Sequence, residues 1–171
     1  DFSIVEKMNQ NSVFLQTLTA STSQGDFNLT TEKSCFSTEP TDVKMYRGCN
    51  IHRYQIDDYV EEFIQNNYKE STIKSNQSNS YLLCQQISGM SDKHRFNFTI
   101  NKNDKCLFGN SVNKVGLKEG INPKLILAIL NSRTIDWYFR KTSTNNHVNI
   151  YELEQLPIPN ADNEQQAKIV A

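Results

Sequence analysis

The chain has 171 residues, 37% of them hydrophobic and 22% charged, with a net charge of -1. It is long enough for one domain with a true core, and too apolar to remain disordered. The near-zero charge excludes a partner chosen by a whole-molecule field, no apolar run reaches the ~20 residues of a membrane helix, and no signal-peptide pattern opens the chain.

Residues 2–8 carry apolar side chains at helical spacing, and Asn9-Gln10-Asn11 ends that pattern. Residues 12–19 alternate as a strand does. Gly25-Asp26 reads as a turn before the short strand Phe27-Asn28-Leu29-Thr30. Residues 35–41 read as loop. Residues 55–65 fit a helix through Tyr59, Val60, Phe63 and Ile64, and fit short strands almost as well. Residues 69–80 are rich in Asn and Ser and predict a mobile loop. Tyr81-Leu82-Leu83-Cys84 predicts a buried strand that turns polar at Gln85-Gln86. Phe96, Phe98 and Ile100 alternate on one strand face, and residues 106–115 give one or two more strands. Asn122-Pro123 is a strong helix start, because Asn caps and Pro at the first position loses no useful donor. Ile126, Ile129, Leu130, Arg133 and Trp137 then follow at helical spacing to about Lys141, either unbroken or broken near Asn131-Ser132. Val148 and Ile150 suggest a last short strand, and Leu156-Pro157-Ile158-Pro159 must be extended. Asp162 with Gln165 resembles a capping box for a final helix. The expected fold is therefore α+β: a single domain with a twisted, mainly antiparallel sheet, one long amphipathic helix late in the chain, and helices at both termini. Residues 1–159 form the domain and 160–171 begin a helix leading out of it. The start at Asp1 rather than Met, and a last helix cut at Ala171, suggest a piece of a longer chain.

Little here looks catalytic. There is no GxGxxG, GxxxxGK[ST] or GxSxG pattern, and His52, His94 and His147 are scattered. Asp26, Asp42 and Lys44 loosely resemble the carboxylate-plus-lysine set of metal-dependent nucleases. Cys35, Cys49, Cys84 and Cys106 form no CxxC pair. They are read as free thiols of a reducing cytoplasm. The competing reading is a secreted, disulfide-bonded ligand-binding domain, which three Asn-x-Ser/Thr triplets at Asn28, Asn76 and Asn97 would also fit.

Charge is unevenly spread. Residues 84–141 hold ten Lys or Arg against four acids, a net +6, while residues 1–83 hold most of the acids. Gln85, Gln86, Asn110 and Asn113 lie among these cations, and amides can bond adenine bidentately. Upstream, Met45-Tyr46-Arg47-Gly48-Cys49-Asn50-Ile51-His52-Arg53-Tyr54 places two arginines around a glycine that predicts a tight turn. Each guanidinium is a planar fork suited to phosphate or a guanine edge.

That segment resembles the "kG-x-dI-x-RY" stretch of the TaqI-like C-terminal specificity domain. Four further pieces agree in order and spacing: Gly25 to Thr30; Leu82-Leu83-Cys84-Gln85-Gln86-Ile87-Ser88-Gly89; Leu127-Ala128-Ile129-Leu130-Asn131-Ser132 with Trp137-Tyr138-Phe139; and Leu156-Pro157-Ile158-Pro159 with the spacer-like Glu164-Gln165-Gln166-Ala167-Lys168-Ile169. The similarity runs from about residue 12 to the end. The family often carries Arg where this chain has Gln85 and Gln86, so a phosphate contact there is not carried over. The resemblance implies a target recognition domain for double-stranded DNA, paired with a catalytic domain of the same parent chain. That parent would be an adenine-N6 DNA methyltransferase or restriction-modification enzyme. The catalytic domain would bring S-adenosylmethionine, an [ND]PP[YF] motif absent here, and Mg2+ if the parent also cuts. Arg47, Arg53, Lys93 and Arg95 are the expected DNA contacts, with Gln85, Gln86, Asn110 and Asn113 as second choices.

Overall fold

Residues 2–170 are described in this computed structural model. Two four-stranded sheets organise the chain. The first has the order β2 (Thr19–Gln24), β11 (Val112–Leu117), β8 (Tyr81–Gln85), β9 (Phe98–Ile100), with every pair antiparallel. The second has the order β10 (Cys106–Phe108), β4 (Val43–Tyr46), β7 (Phe63–Ile64), β3 (Phe36–Ser37). Its β10–β4 pair is parallel, within an otherwise antiparallel arrangement. Two small pairs complete the set: β5 (Ile51–His52) with β6 (Gln55–Ile56), and β1 (Ser12–Phe14) with β12 (Pro157–Pro159). Both prolines of β12 sit on an edge strand, where the missing N–H costs no ladder bond.

Alternation explains the layering. Leu82 and Cys84 of β8 face one apolar cluster, with Phe98, Val115 and the late helices, while Leu83 faces a second with Tyr46, Phe108 and Val112. Strands β4 and β10 repeat the device, with Met45 and Leu107 entering a third cluster around Phe27, Cys35 and Ile73. A strand buried on both faces reads as a continuous apolar run, which is why Tyr81-Leu82-Leu83-Cys84 shows no polar alternation.

The fold is α+β as expected, but several elements differ. Strand β1 stops at Phe14, and a 3-10 turn, Leu15–Leu18, separates it from β2. The helix expected over 123–141 takes the form broken near Asn131-Ser132, as α3 (Pro123–Leu130) and α4 (Arg133–Thr142), in place of one long helix. Asn131 causes the break. Its Oδ1 accepts from the Phe98 N–H at 2.9 Å and its Nδ2 donates to the Phe98 carbonyl at 2.9 Å, so the side chain acts as one more strand residue beside β9. Ser132 then caps α4 by accepting from Ile135 N. The stretch expected as a mobile loop at 69–80 holds a helix, α2 (Glu70–Ser78). Its anchor is polar: buried Asn76 donates to Asp26 Oδ2 at 2.9 Å and to the Cys106 carbonyl at 2.8 Å, and accepts from Lys114 Nζ at 2.6 Å. Apolar periodicity cannot report such an anchor. No strand forms at Ile150, which opens α5 (Ile150–Glu154). The terminal helices α1 (Phe2–Gln10) and α6 (Asn163–Val170) are present, the latter behind a reciprocal Asp162–Gln165 box.

Candidate nucleic-acid interface

The arginine-bearing segment forms a 3-10 turn, Gly48–Asn50, followed by the β5–β6 hairpin. Gly48 does not take positive φ; glycine is required there because a Cβ would lie 2.7 Å from the Ser111 carbonyl oxygen. The turn closes through Arg47 N donating to Asn50 Oδ1 at 2.8 Å and Gly48 N donating to Ser111 Oγ at 2.9 Å. Arg47 extends a guanidinium fork to the Glu62 carboxylate, through Nε to Oε2 and through NH2 to Oε1, the latter at 2.6 Å. That bond raises its pKa, and the half-exposed pair fixes the fork at the surface.

Arg53 and Tyr54 form the hairpin tip. Tyr54 takes φ +64°, and its N–H donates to the Phe98 carbonyl at 2.8 Å. Arg53 donates to the Asn131 carbonyl, and its guanidinium lies 5.3 Å from the Tyr54 ring centroid. Tyr54 is 54% exposed, so this tyrosine is a surface platform. The tip is thereby seated on the edge of β9 and on the α3–α4 junction.

Residues 86–97 form the neighbouring loop. Arg95, expected at its surface, is 1% exposed. Its guanidinium lies 5.0 Å from the Phe139 ring centroid and donates to Ser88 Oγ at 3.3 Å and to the Asn145 carbonyl at 2.7 Å. Burial lowers its pKa, and the Arg140 charge adds to that. Arg95 therefore ties the loop to α4 and to residues 143–147, and presents no fork to a duplex. Lys93 is exposed and makes no hydrogen bond or ion pair among the described residues. Arg140 clamps the loop's start by donating to the Met90 and Asp92 carbonyls at 2.8 and 2.6 Å.

Asn113 is likewise inside. It is fully buried and donates to the Val148 carbonyl at 2.6 Å, which makes it a core bracket and not a surface amide. The other amides reach solvent in part. Gln85 donates to the Ile51 carbonyl at 3.0 Å, Gln86 pairs with His147 Nδ1 at 3.1 Å, and Asn110 accepts from Leu29 N at 3.1 Å. Arg47, Cys49, Gln85, Ser111 and the 57% exposed Ile87 line a recess of about 430 Å³. Two residues not among the expected contacts, His94 and the exposed Arg133, lie near Arg53, whose charge acts with that of Arg133 on the His94 imidazole. Helical spacing alone places Arg133 on the apolar stripe, and the break at Asn131 restarts the helix with it exposed.

Neither competing constellation assembles. Asp26, Asp42 and Lys44 serve separate pairs. Asp26 is buried against Lys114 Nζ at 2.8 Å, Asp42 lies 3.5 Å from Lys105, and Lys44 lies 3.2 Å from Asp104. Among the described residues no three His, Cys, Asp or Glu are grouped to hold a metal ion. All four cysteines are free; Cys35, Cys84 and Cys106 are buried, and burial pushes the Cys84 thiol up to about 12. No described helix is long and apolar enough to cross a membrane. A cavity of about 440 Å³ between the terminal helices, bounded by Met8, Ile129, Ile135 and Ile169, includes none of the expected DNA contacts.

A comparison with curated proteins found no match. The family model of the TaqI-like C-terminal specificity domain matches residues 43–158, from the first residue of β4 to the middle of β12, and the chain belongs to that family.

Proposed function

We propose that this chain reads double-stranded DNA as the target recognition domain of a restriction-modification enzyme. The parent would be an adenine-N6 methyltransferase, with or without a Mg2+-dependent nuclease, whose catalytic domain binds S-adenosylmethionine. The observation that carries this reading is the continuous segment 47–56, which links two kinds of surface. One end lines the recess with Arg47 and Gln85; the other is the Arg53-Tyr54 tip. Cations suit phosphates, which position a duplex without reading it. The recess offers an amide, a guanidinium and the apolar Ile87, the groups that distinguish base edges and the thymine methyl in a major groove. Flipping an adenine costs a few kcal/mol, and a module gripping the flanking duplex offsets that cost. Of the expected contacts, Arg47, Arg53, Lys93, Gln85, Gln86 and Asn110 remain in this role. Free thiols fit a cytoplasmic setting.

The test is selection from a randomised duplex library at low salt, followed by fluorescence anisotropy on the enriched sequence. One enriched sequence, bound more weakly by Gln85→Ala and Ile87→Ala variants, is expected. Salt-sensitive binding with no sequence enriched would refute the reading role and leave only phosphate contacts.

A further inference from the structure

We propose that Arg53, Lys93, His94 and Arg133 form one phosphate-binding site, in which a bound phosphodiester draws a solvent proton onto the His94 imidazole. The proposal rests on the DNA-reading role above and adds two residues, His94 and Arg133, and a proton to it.

The convergence of these side chains follows from backbone anchors. Arg53 donates to the Asn131 carbonyl, and Arg133 opens α4 two residues later. The N–H groups of Arg95 and Phe96 both donate to Asp136 Oδ1, at 2.6 and 3.3 Å. His94, one residue earlier, is therefore held against the first turn of α4, and Lys93 beside it. Arg140 fixes the preceding carbonyls of Met90 and Asp92 to the same helix. Three segments far apart in sequence thus meet at the α3–α4 junction, near enough for Arg53, Lys93 and Arg133 to act electrostatically on His94.

Among the described residues the nearby acids are engaged elsewhere. Asp136 is 7% exposed; its Oδ1 is taken by the two N–H groups and its Oδ2 by Arg140 Nε at 2.7 Å. The Asp92 carboxylate accepts from Gly89 N at 2.6 Å. The Lys93 and Arg133 side chains are exposed and make no hydrogen bond or ion pair among the described residues. Like charges crowded together without a counter-ion repel, and an external anion relieves that repulsion.

Burial first, and then the charges of Arg53, Lys93 and Arg133, lower the His94 pKa below 6.5, with Asp136 opposing. The free protein thus favours the neutral imidazole. A phosphate oxygen among the same cations reverses the balance, because it favours the charged imidazolium. Binding takes up a proton, so it strengthens as pH falls from the midpoint of the bound form toward that of the free form. The gain is at most about tenfold in affinity per pH unit within that window.

The experiment titrates the imidazole signals of the whole chain by NMR, assigned with His52→Gln, His94→Gln and His147→Gln variants. Titrations are run alone, with inorganic phosphate, and with a short duplex, and duplex affinity is measured by anisotropy over the same pH range. The expected result is a His94 midpoint raised by both probes. Affinity should rise as pH falls, lie flat at the weak end in His94→Gln, and lie flat at the tight end in His94→Lys. A duplex that binds while the His94 midpoint stays put overturns the site and leaves the reading role standing. A midpoint raised by phosphate in a chain that binds no duplex supports the site and removes the DNA role. If phosphate moves all three histidines equally, or none, the site is overturned.

Discussion

Replacing Arg95 by Met separates a structural arginine from a DNA contact. The thioether keeps most of the stem volume in contact with Phe139, so the loss is confined to the charged head. That head makes a 2.7 Å bond to the Asn145 carbonyl, a longer one to Ser88 Oγ, and a cation–π contact at 5.0 Å. A hydrogen bond from a charged donor contributes about 1.5–3 kcal/mol, and the ring contact adds about 1–2 kcal/mol where water is excluded. Against this, Met removes the cost of holding a guanidinium at 1% exposure, so the net loss is smaller than the sum, about 2 kcal/mol. With a urea slope of about 2 kcal/mol/M, the unfolding midpoint falls by about 1 M. Far-UV circular dichroism across urea gives that shift, and anisotropy at low urea gives duplex affinity for the folded fraction. The expected outcome is the midpoint shift, with affinity changed much less than by Arg53→Gln or Lys93→Gln. A variant with an unmoved midpoint and lost duplex binding would refute the placement of Arg95.

Asn131→Ala removes both side-chain bonds to the Phe98 backbone; it leaves the buried Phe98 N–H unpaired while the carbonyl keeps the Tyr54 N–H, which costs about 1–3 kcal/mol in urea unfolding; amide exchange should accelerate first along β9. Lys114→Met strands the Asp26 carboxylate and is expected to cost about 3–5 kcal/mol, with much of it recovered in the Lys114→Met, Asp26→Asn double variant. The Tyr68 hydroxyl, the Asn28 backbone N–H and Lys69 hold the Glu32 carboxyl down at about 2, below its ordinary 4.5. A depressed carboxylate stabilises the fold fully above the ordinary value and loses that contribution as pH falls toward 2. Tyr68→Phe should therefore flatten stability between those limits in acid-unfolding curves. Thiol titration of the native chain should modify Cys49 alone quickly, with all four reacting after denaturation; no thiols after denaturation would restore the disulfide reading.

How much of this was legible depended on what held each element. Strand β8, helix α3 and the proline-bearing β12 rest on apolar pattern, capping and proline geometry, all readable along the chain. Helix α2 and the placement of Arg95 and Asn113 rest on single polar side chains satisfied by partners tens of residues away. An arginine or asparagine looks the same in a sequence whether its partner is solvent, DNA or a buried carbonyl. The net +6 of residues 84–141 misled for this reason, since Lys114, Arg95 and Arg140 spend their charge inside the fold.

The same division bears on how such a surface can change its target. Arg53 and Tyr54 are fixed by backbone acceptors and donors, the Asn131 and Phe98 carbonyls and the Tyr54 N–H. The loop carrying Lys93 and His94 is clamped by buried Arg95 and half-buried Arg140. Because the clamps act on main-chain carbonyls and on Ser88, substitutions at Ile87, Met90, Lys93 or His94 leave them in place. Exposed side chains on rigidly held loops, here those proposed to read bases, can then vary at little cost in stability. Single exchanges at Ile87 or Lys93 should alter duplex binding while leaving the urea midpoint nearly unchanged, whereas exchanges at Arg95 or Arg140 should lower the midpoint without choosing a new sequence.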